Sequence, residues 1–267
     1  MKKGSYLKKY LNNGGEGEAR VRSPRIHINL SEKAKEIFEE GKVLLLDKPV
    51  HWTSFDVVRK IRGMIGIKKV GHAGTLDPLA TGLLVICTGR KTKQINEYML
   101  QPKTYSGTIT LGATTPTYDL ESKPENPKPF QHISADEVNK TVQTFLGEQM
   151  QKPPIYAAIK KEGVALYELA RRGTDVELQP RPVTIYAFEI LSFHSPQIHF
   201  RIRCSTGTYI RSIAHDVGAA LGCGAYLSEL RRTAIGEFEV SNAMSMEQFI
   251  AWLKQLEREY GENSSEV

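Results

Sequence analysis

Between residues 71 and 82 the chain reads Gly-His-Ala-Gly-Thr-Leu-Asp-Pro-Leu-Ala-Thr-Gly, and no other stretch restricts the fold as much. Gly71, Gly74 and Gly82 leave this backbone with little local preference, so a unique shape has to come from packing. Pro78 biases Asp77 toward extended or polyproline geometry and removes the next backbone donor. The apolar run Leu83–Thr88 follows at once and reads as a buried strand. An acid held on a stiff step between a glycine turn and a buried strand suits a presented carboxylate. Taken alone it equally suits an Asx-turn, because Asp-Pro commonly opens turns.

The flanking elements follow from periodicity and caps. Ser31 opens a short helix through Glu40 that Gly41 ends, and Lys42–Asp47 reads as a strand. Thr53 or Ser54 caps a helix whose apolar positions are Phe55, Val58, Ile61 and Ile65, closed by Gly66. Lys91–Leu100 reads as helical. Tyr105, Gly107, Ile109 and Leu111 alternate with Thr104, Ser106, Thr108 and Thr110, the pattern of a half-exposed strand. After a Pro-rich loop at 116–130, Ser134-Ala-Asp-Glu137 is a capping box for a helix to Phe145. Gln151–Pro154 is extended and Val164–Arg172 helical, followed by strands Val183–Ser192 and Ile198–Cys204. Helices are expected at Tyr209–Leu221 and from about Ser245 to Glu259. Strands and helices alternate without a βαβ rhythm, which predicts an α+β fold around a mixed, largely antiparallel sheet. The expected organisation is a basic N-terminal extension with a short helix (1–40), a catalytic unit (41–240), and a C-terminal helix with an acidic tail (241–267).

Charge is unevenly spread. Of the net +6, residues 1–25 hold +5, the segment from Glu247 onward −3 and the remainder +4. A basic arm on a mildly basic body suits a polyanionic partner, although a solvated tail on an ordinary domain explains it too. Cys87, Cys204 and Cys223 are too few and too scattered for a disulfide framework and lack metal-ligand spacing. The apolar runs are too short to span a bilayer and the first residues carry no signal-peptide core. A cytoplasmic, monomeric protein without membrane association is expected.

The loop at 71–82 closely resembles the catalytic motif of the TruB-type tRNA pseudouridine synthases. Five further segments resemble that family in order. They are Leu45–Pro49 with Thr53-Ser54, Lys103–Tyr105 with Leu111-Gly112, Gln151–Tyr156 through Leu166–Arg171, Cys204–Arg211, and Leu227–Arg232. The resemblance implies a pseudouridine-synthase fold and isomerisation of the uridine at position 55 in the TΨC arm of tRNA. It implies no cofactor and no metal, since nothing enters or leaves in the reaction. Asp77 is then the catalytic carboxylate, Arg211 its ion-pair partner, and Tyr105 the ring that stacks on the target uracil. Arg211 has independent support: a cation in the first turn of a helix opposes the macrodipole unless a carboxylate neutralises it. The target base must be extruded, and His72 resembles the histidine that fills the gap it leaves. As a loop histidine bonded to backbone it would need no such role. Lys48 would support Tyr105 or the loop, or be a surface charge beside a turn. Tyr156, Tyr209 and Leu227 belong to the substrate-contacting segments. Lys160, Lys161, Arg171, Arg172, Arg231 and Arg232 are candidate phosphate contacts.

Two departures stand out. The family motif has glycine where this chain has His51, which must then tolerate a left-handed backbone or the turn is rebuilt. Only 27 residues follow Val240, so a C-terminal RNA-binding domain of the PUA type is expected to be absent. Other readings are a non-catalytic RNA-binding protein on the same scaffold, a guide-RNA-dependent synthase subunit, and a glycoside hydrolase with paired carboxylates. For the last, no motif segment offers an obvious second acid.

Overall fold

The computed structural model of the protein describes residues 28–155, 160–161, 164–165 and 178–261. Its described helices are α1 (Glu32–Glu40), α2 (Ser54–Ile65), α3 (Ile95–Leu100), α4 (Ala135–Gln143), α5 (Ile210–Ala220) and α6 (Met246–Gly261). Among the strands, β1 (Val43–Lys48), β2 (Val70–His72), β3 (Thr81–Thr88), β4 (Lys103–Leu111) and β5 (Gly147–Gln151) come first. They are followed by β6 (Lys160–Lys161), β7 (Val164–Ala165), β8 (Arg181–His194), β9 (Gln197–Cys204), β10 (Ala225–Ile235) and β11 (Phe238–Glu239).

One sheet runs β1-β3-β10-β4-β9-β8-β5, with β2 added on β3 and β11 on β10, while β6 and β7 pair separately. All strand pairings in this sheet are antiparallel except β3 with β10, where Thr81 meets Arg231 and Gly82 meets Arg232. The expected α+β class and mixed, largely antiparallel sheet are therefore what the chain adopts. Because β1 lies along one edge of β3, β2 and β10 share the other. β2 takes Ile86–Thr88 and β10 takes Thr81-Gly82, so residues 73–80 leave the sheet in the gap between them.

Alternation along the strands builds two unlike halves. Around β1 and β3, Leu44, Leu46, Leu84 and Ile86 bury one face against α1, α2 and α6, while Leu83, Val85 and Cys87 bury the other. β4, β8 and β9 instead bury one face, with Ile109, Phe188, Phe200 and Ile202 packed against α4 and α5. Their other face is polar. Helix α2 begins with a capping box between Thr53 and Asp56 and ends at Gly66 in the left-handed region. Its buried stripe is Val57, Val58, Ile61, Met64 and Ile65, whereas Phe55, expected on the apolar face, is 59% exposed.

Three further expectations need correction. The segment 225–235, read only as a motif, is the central strand β10. Of residues 147–151 only Gln151 is expected to be extended, yet the whole segment pairs with β8. The helix expected over Val164–Arg172 begins instead as a strand, since Val164–Ala165 pairs with Lys160–Lys161; its remainder lies outside the described residues.

Candidate active site

The loop from Ala73 to Ala80 has almost no local preference, yet nearly every residue in it is anchored from outside. The Ala73 amide donates to the Val85 carbonyl at 2.9 Å. Arg232 donates from Nη2 to Gly74 O at 3.0 Å, from Nη1 to Thr75 O at 3.4 Å, and from Nε to Leu83 O at 2.8 Å. Ser54, buried in the first turn of α2, accepts from the Leu76 amide at 2.8 Å and donates to its carbonyl at 3.2 Å. Pro78 O accepts from the His51 amide at 2.8 Å and from Lys48 Nζ at 3.3 Å. His51 takes the left-handed conformation itself, with φ of 68°, so the turn is kept without glycine. Gly82 does need to be glycine. Its φ is 103°, and a Cβ there would sit 2.3 Å from the Arg232 carbonyl.

These anchors leave the Asp77 side chain about a third exposed and facing α5. Arg211, on the first turn of α5 and only 4% exposed, meets it with two nitrogens. Nε lies 2.9 Å from Oδ2, and Nη2 donates to Oδ1 at 3.2 Å. The same guanidinium donates from Nη1 to Thr117 O at 3.2 Å and holds Nε 3.7 Å from Asp119 Oδ2. Asp119 was not singled out from sequence. It sits in the Pro-rich loop at 116–130, where no periodicity marks it; the flanking Thr117 and Ser122, both hydrogen-bonding to this turn, are its only signal. Burial pushes the Asp119 carboxyl up, opposed by Thr117 and Arg211. At 6% exposure its side chain is nearly closed off, and it lines the Asp77 cleft only beside the Arg211 guanidinium. That arrangement is unlike a glycosidase pair, in which both acids reach the substrate.

Tyr105 projects from β4 on its core face, opposite Arg232 on β10. Burial raises its phenol, while the charge of Arg232 and a hydrogen bond with it act the other way. Tyr209 caps the start of α5 and is fixed through its backbone: the Gln151 amide side chain accepts from its N–H at 2.8 Å and donates to its carbonyl at 3.1 Å. Leu227 lines the cleft with Asp77, Asp119 and Arg211, and so does Leu230, which sequence reading passed over. His72 ends β2, half-buried; burial and the nearby Arg232 lower its pKa, which favours the neutral ring.

The basic candidates divide sharply. Lys48 is fully buried and donates to Pro49 O at 3.0 Å and Trp52 O at 2.6 Å as well as to Pro78, so it supports the loop and is no surface charge. Burial lowers its pKa to about 8 despite Asp77. Arg232, expected as a phosphate contact, is 1% exposed, and its guanidinium is turned inward onto the carbonyls of Gly74, Thr75 and Leu83; it has no path to solvent phosphate. Arg231 points the other way and grips Asp47 at 2.7 and 3.0 Å with its side chain 40% exposed. It borders a groove of about 570 Å³ that shares Leu79, Ser228, Glu229 and Leu230 with the Asp77 cleft. Lys160 and Lys161 form β6, and Tyr156, Arg171 and Arg172 lie outside the described residues. Among the described residues no group of His, Cys, Asp and Glu could hold a metal, and no helix is long and apolar enough to cross a membrane.

Comparison with known proteins gives a consistent result. Residues 62–210 match the model of the TruB family pseudouridylate synthase N-terminal domain, and residues 211–263 match that of the tRNA pseudouridylate synthase B C-terminal domain. The chain is 51% identical over 221 residues to a tRNA pseudouridine synthase B of Flavobacterium johnsoniae, covering 80% of this chain and 96% of that one. A protein of the same name from Chlorobaculum tepidum is 49% identical over 214 residues, covering 78% and 89%. Among solved structures, a chain from a Cbf5-Nop10-Gar1 complex superposes with a TM-score of 0.64 at 28% identity over 82% of this chain. This chain spans just over half of that one, 56%.

Proposed function

This chain belongs to the TruB family of pseudouridylate synthases, and we propose that it isomerises uridine 55 in the TΨC arm of tRNA to pseudouridine. The observation that carries the reading is the two-point grip of Arg211 on Asp77, which presents one charge-paired carboxylate at the mouth of a cleft. The reaction breaks the bond from C1′ to N1, turns the uracil, and joins C5 to C1′. The C5 proton is lost and N1 gains one, so atoms balance without a co-reactant.

Asp77 supplies the carboxylate for the glycosidic rearrangement, its charge balanced by Arg211. Tyr105 offers a ring for the extruded uracil and a phenol near C5 for the final proton transfer. His72, as a neutral ring, fills the space the base vacates in the arm. Lys48 and Arg232 act on the backbone of the loop and fix where Asp77 points. Tyr209, Leu227 and Leu230 wall the base, while Arg231, Lys160, Arg171 and the Tyr156 segment are assigned to the RNA around it. The proposed organisation keeps a catalytic unit at 41–240 between the basic extension and the C-terminal helix, in a cytoplasmic monomer.

The test is to incubate the protein with an unmodified tRNA transcript and map pseudouridine. Product at uridine 55 is expected; binding without product at that site sinks the reading. Tyr105→Phe is expected to bind tRNA normally while turnover falls by about a hundredfold.

A further inference from the structure

Tyr118 stands next to Asp119 with φ of 63°, a left-handed conformation that a bulky residue rarely adopts. Glycine or asparagine would hold this turn with less strain, so the tyrosine ring must return something. It lies flat on His215, with centroids 4.0 Å apart and planes 17° from parallel. His215 is four residues after Arg211, one turn along the same face of α5. Among the described residues its buried Nδ1 has no hydrogen-bond partner, so on that side the stack rather than a hydrogen bond fixes the imidazole.

The backbone beside the ring is held from several sides. The Tyr118 carbonyl accepts from the Leu227 amide at 2.9 Å, and its amide donates to Thr115 O at 3.1 Å. Thr117 O accepts from Arg211, and Asp119 Oδ1 accepts from the Glu121 amide at 3.0 Å. The loop therefore meets α5 at two places one turn apart: Thr117 and Asp119 on Arg211, Tyr118 on His215. The Leu227 bond ties the loop to β10, and the two contacts with α5 set where it lies along that helix.

We infer that Tyr118, through its ring stack on His215, is a positioning residue that registers Asp119 against Arg211 and so fixes the guanidinium that holds Asp77. The inference rests on the reading of Asp77 as the catalytic carboxylate. It concerns neither substrate contact nor proton transfer by Tyr118 itself.

The experiment compares Tyr118→Phe with Tyr118→Gly in the full-length protein. Glycine removes the strain and the ring together, whereas phenylalanine keeps both. Tyr118→Gly is expected to lower kcat about tenfold with KM within about twofold of the parent, and Tyr118→Phe to stay near the parent in both. The Arg211 Nε–H signal in nitrogen-edited NMR is expected to move in the glycine variant and not in the phenylalanine one. That signal needs no turnover, so it decides the inference even if the parent protein makes no pseudouridine, an outcome that would instead overturn the functional reading. Parent-like kcat and an unmoved Arg211 signal in Tyr118→Gly overturn the proposal, as does a loss confined to KM. If Tyr118→Gly does not fold, His215→Ala against His215→Phe carries the same comparison, with the phenylalanine expected to rescue.

Discussion

Two arginine–aspartate pairs sit on neighbouring parts of this molecule, and both are bidentate. Arg231 and Asp47 join β10 to β1 near the surface, with side chains 40% and 32% exposed. Arg211 and Asp77 join α5 to the glycine loop, with the arginine 4% exposed and a second carboxylate, Asp119, beside it. The geometry is alike and the surroundings are not. Water screens the first pair, so either partner is solvated when the other is gone. The second arginine is itself buried and serves a buried acid, Asp119, as well as the open Asp77, so its loss strands the Asp119 charge. Bidentate geometry alone therefore identifies no site; the burial of the cation beneath a half-open acid does.

The comparison can be broken most decisively at Asp77. Asp77→Asn keeps shape and volume but removes the charge, and turnover is expected to fall at least about a thousandfold while tRNA affinity in a filter-binding assay stays within about threefold. Arg211→Met comes next. It leaves Asp119 buried beside a thioether, so urea melts are expected to show a loss of about 3 kcal/mol, with turnover down about a hundredfold. His72 lies between the extremes. Its folded pKa is below the ordinary 6.5, so the unfolded chain takes up its proton first as pH falls. Its contribution to stability is thus whole above pH 6.5, declines as pH drops through that value, and levels off below the folded pKa. An NMR titration placing His72 at or above 6.5 contradicts this. Arg231→Ala is expected to be the mildest, within about 1 kcal/mol in the same melts. A larger loss would show that the exposed pair is no ordinary surface bridge.

Much of this was legible in the sequence for a physical reason. Caps at Ser31, Thr53 and Ser134 fix helix starts within a few residues of chain, and the Thr104–Leu111 alternation fixes β4 and its faces. Asp77 and its pairing with Arg211 come from the resemblance of their motifs, and a cation at a helix start, which asks for an anion, supports the pairing. β10 was not found. Its register shifts between Leu227 and Glu229 and again between Arg232 and Ala234, which destroys the two-residue period that marks a strand. The same irregularity hid the burial of Arg232, since adjacent arginines read as a surface pair. Asp119 was invisible because its partner Arg211 lies far along the chain and its own loop carries no repeat. Phe55 was misplaced because helical spacing assigns a face without saying where the partner surface ends.

The parallel contact between β3 and β10 spans only Thr81-Gly82 and Arg231-Arg232. On one side of it lies the half of the sheet wrapped on both faces, and on the other the half that the described residues cover on one face only. Within the sheet the two halves are thus paired only along this two-residue seam, which Arg232 rivets and the Arg231–Asp47 and Arg211–Asp77 pairs reinforce. Amide exchange should report the halves as separate protection classes, with residues 81–82 exchanging at the rate of the weaker one. Any substitution that loosens the seam would then lower the coupling between the halves before it unfolded either.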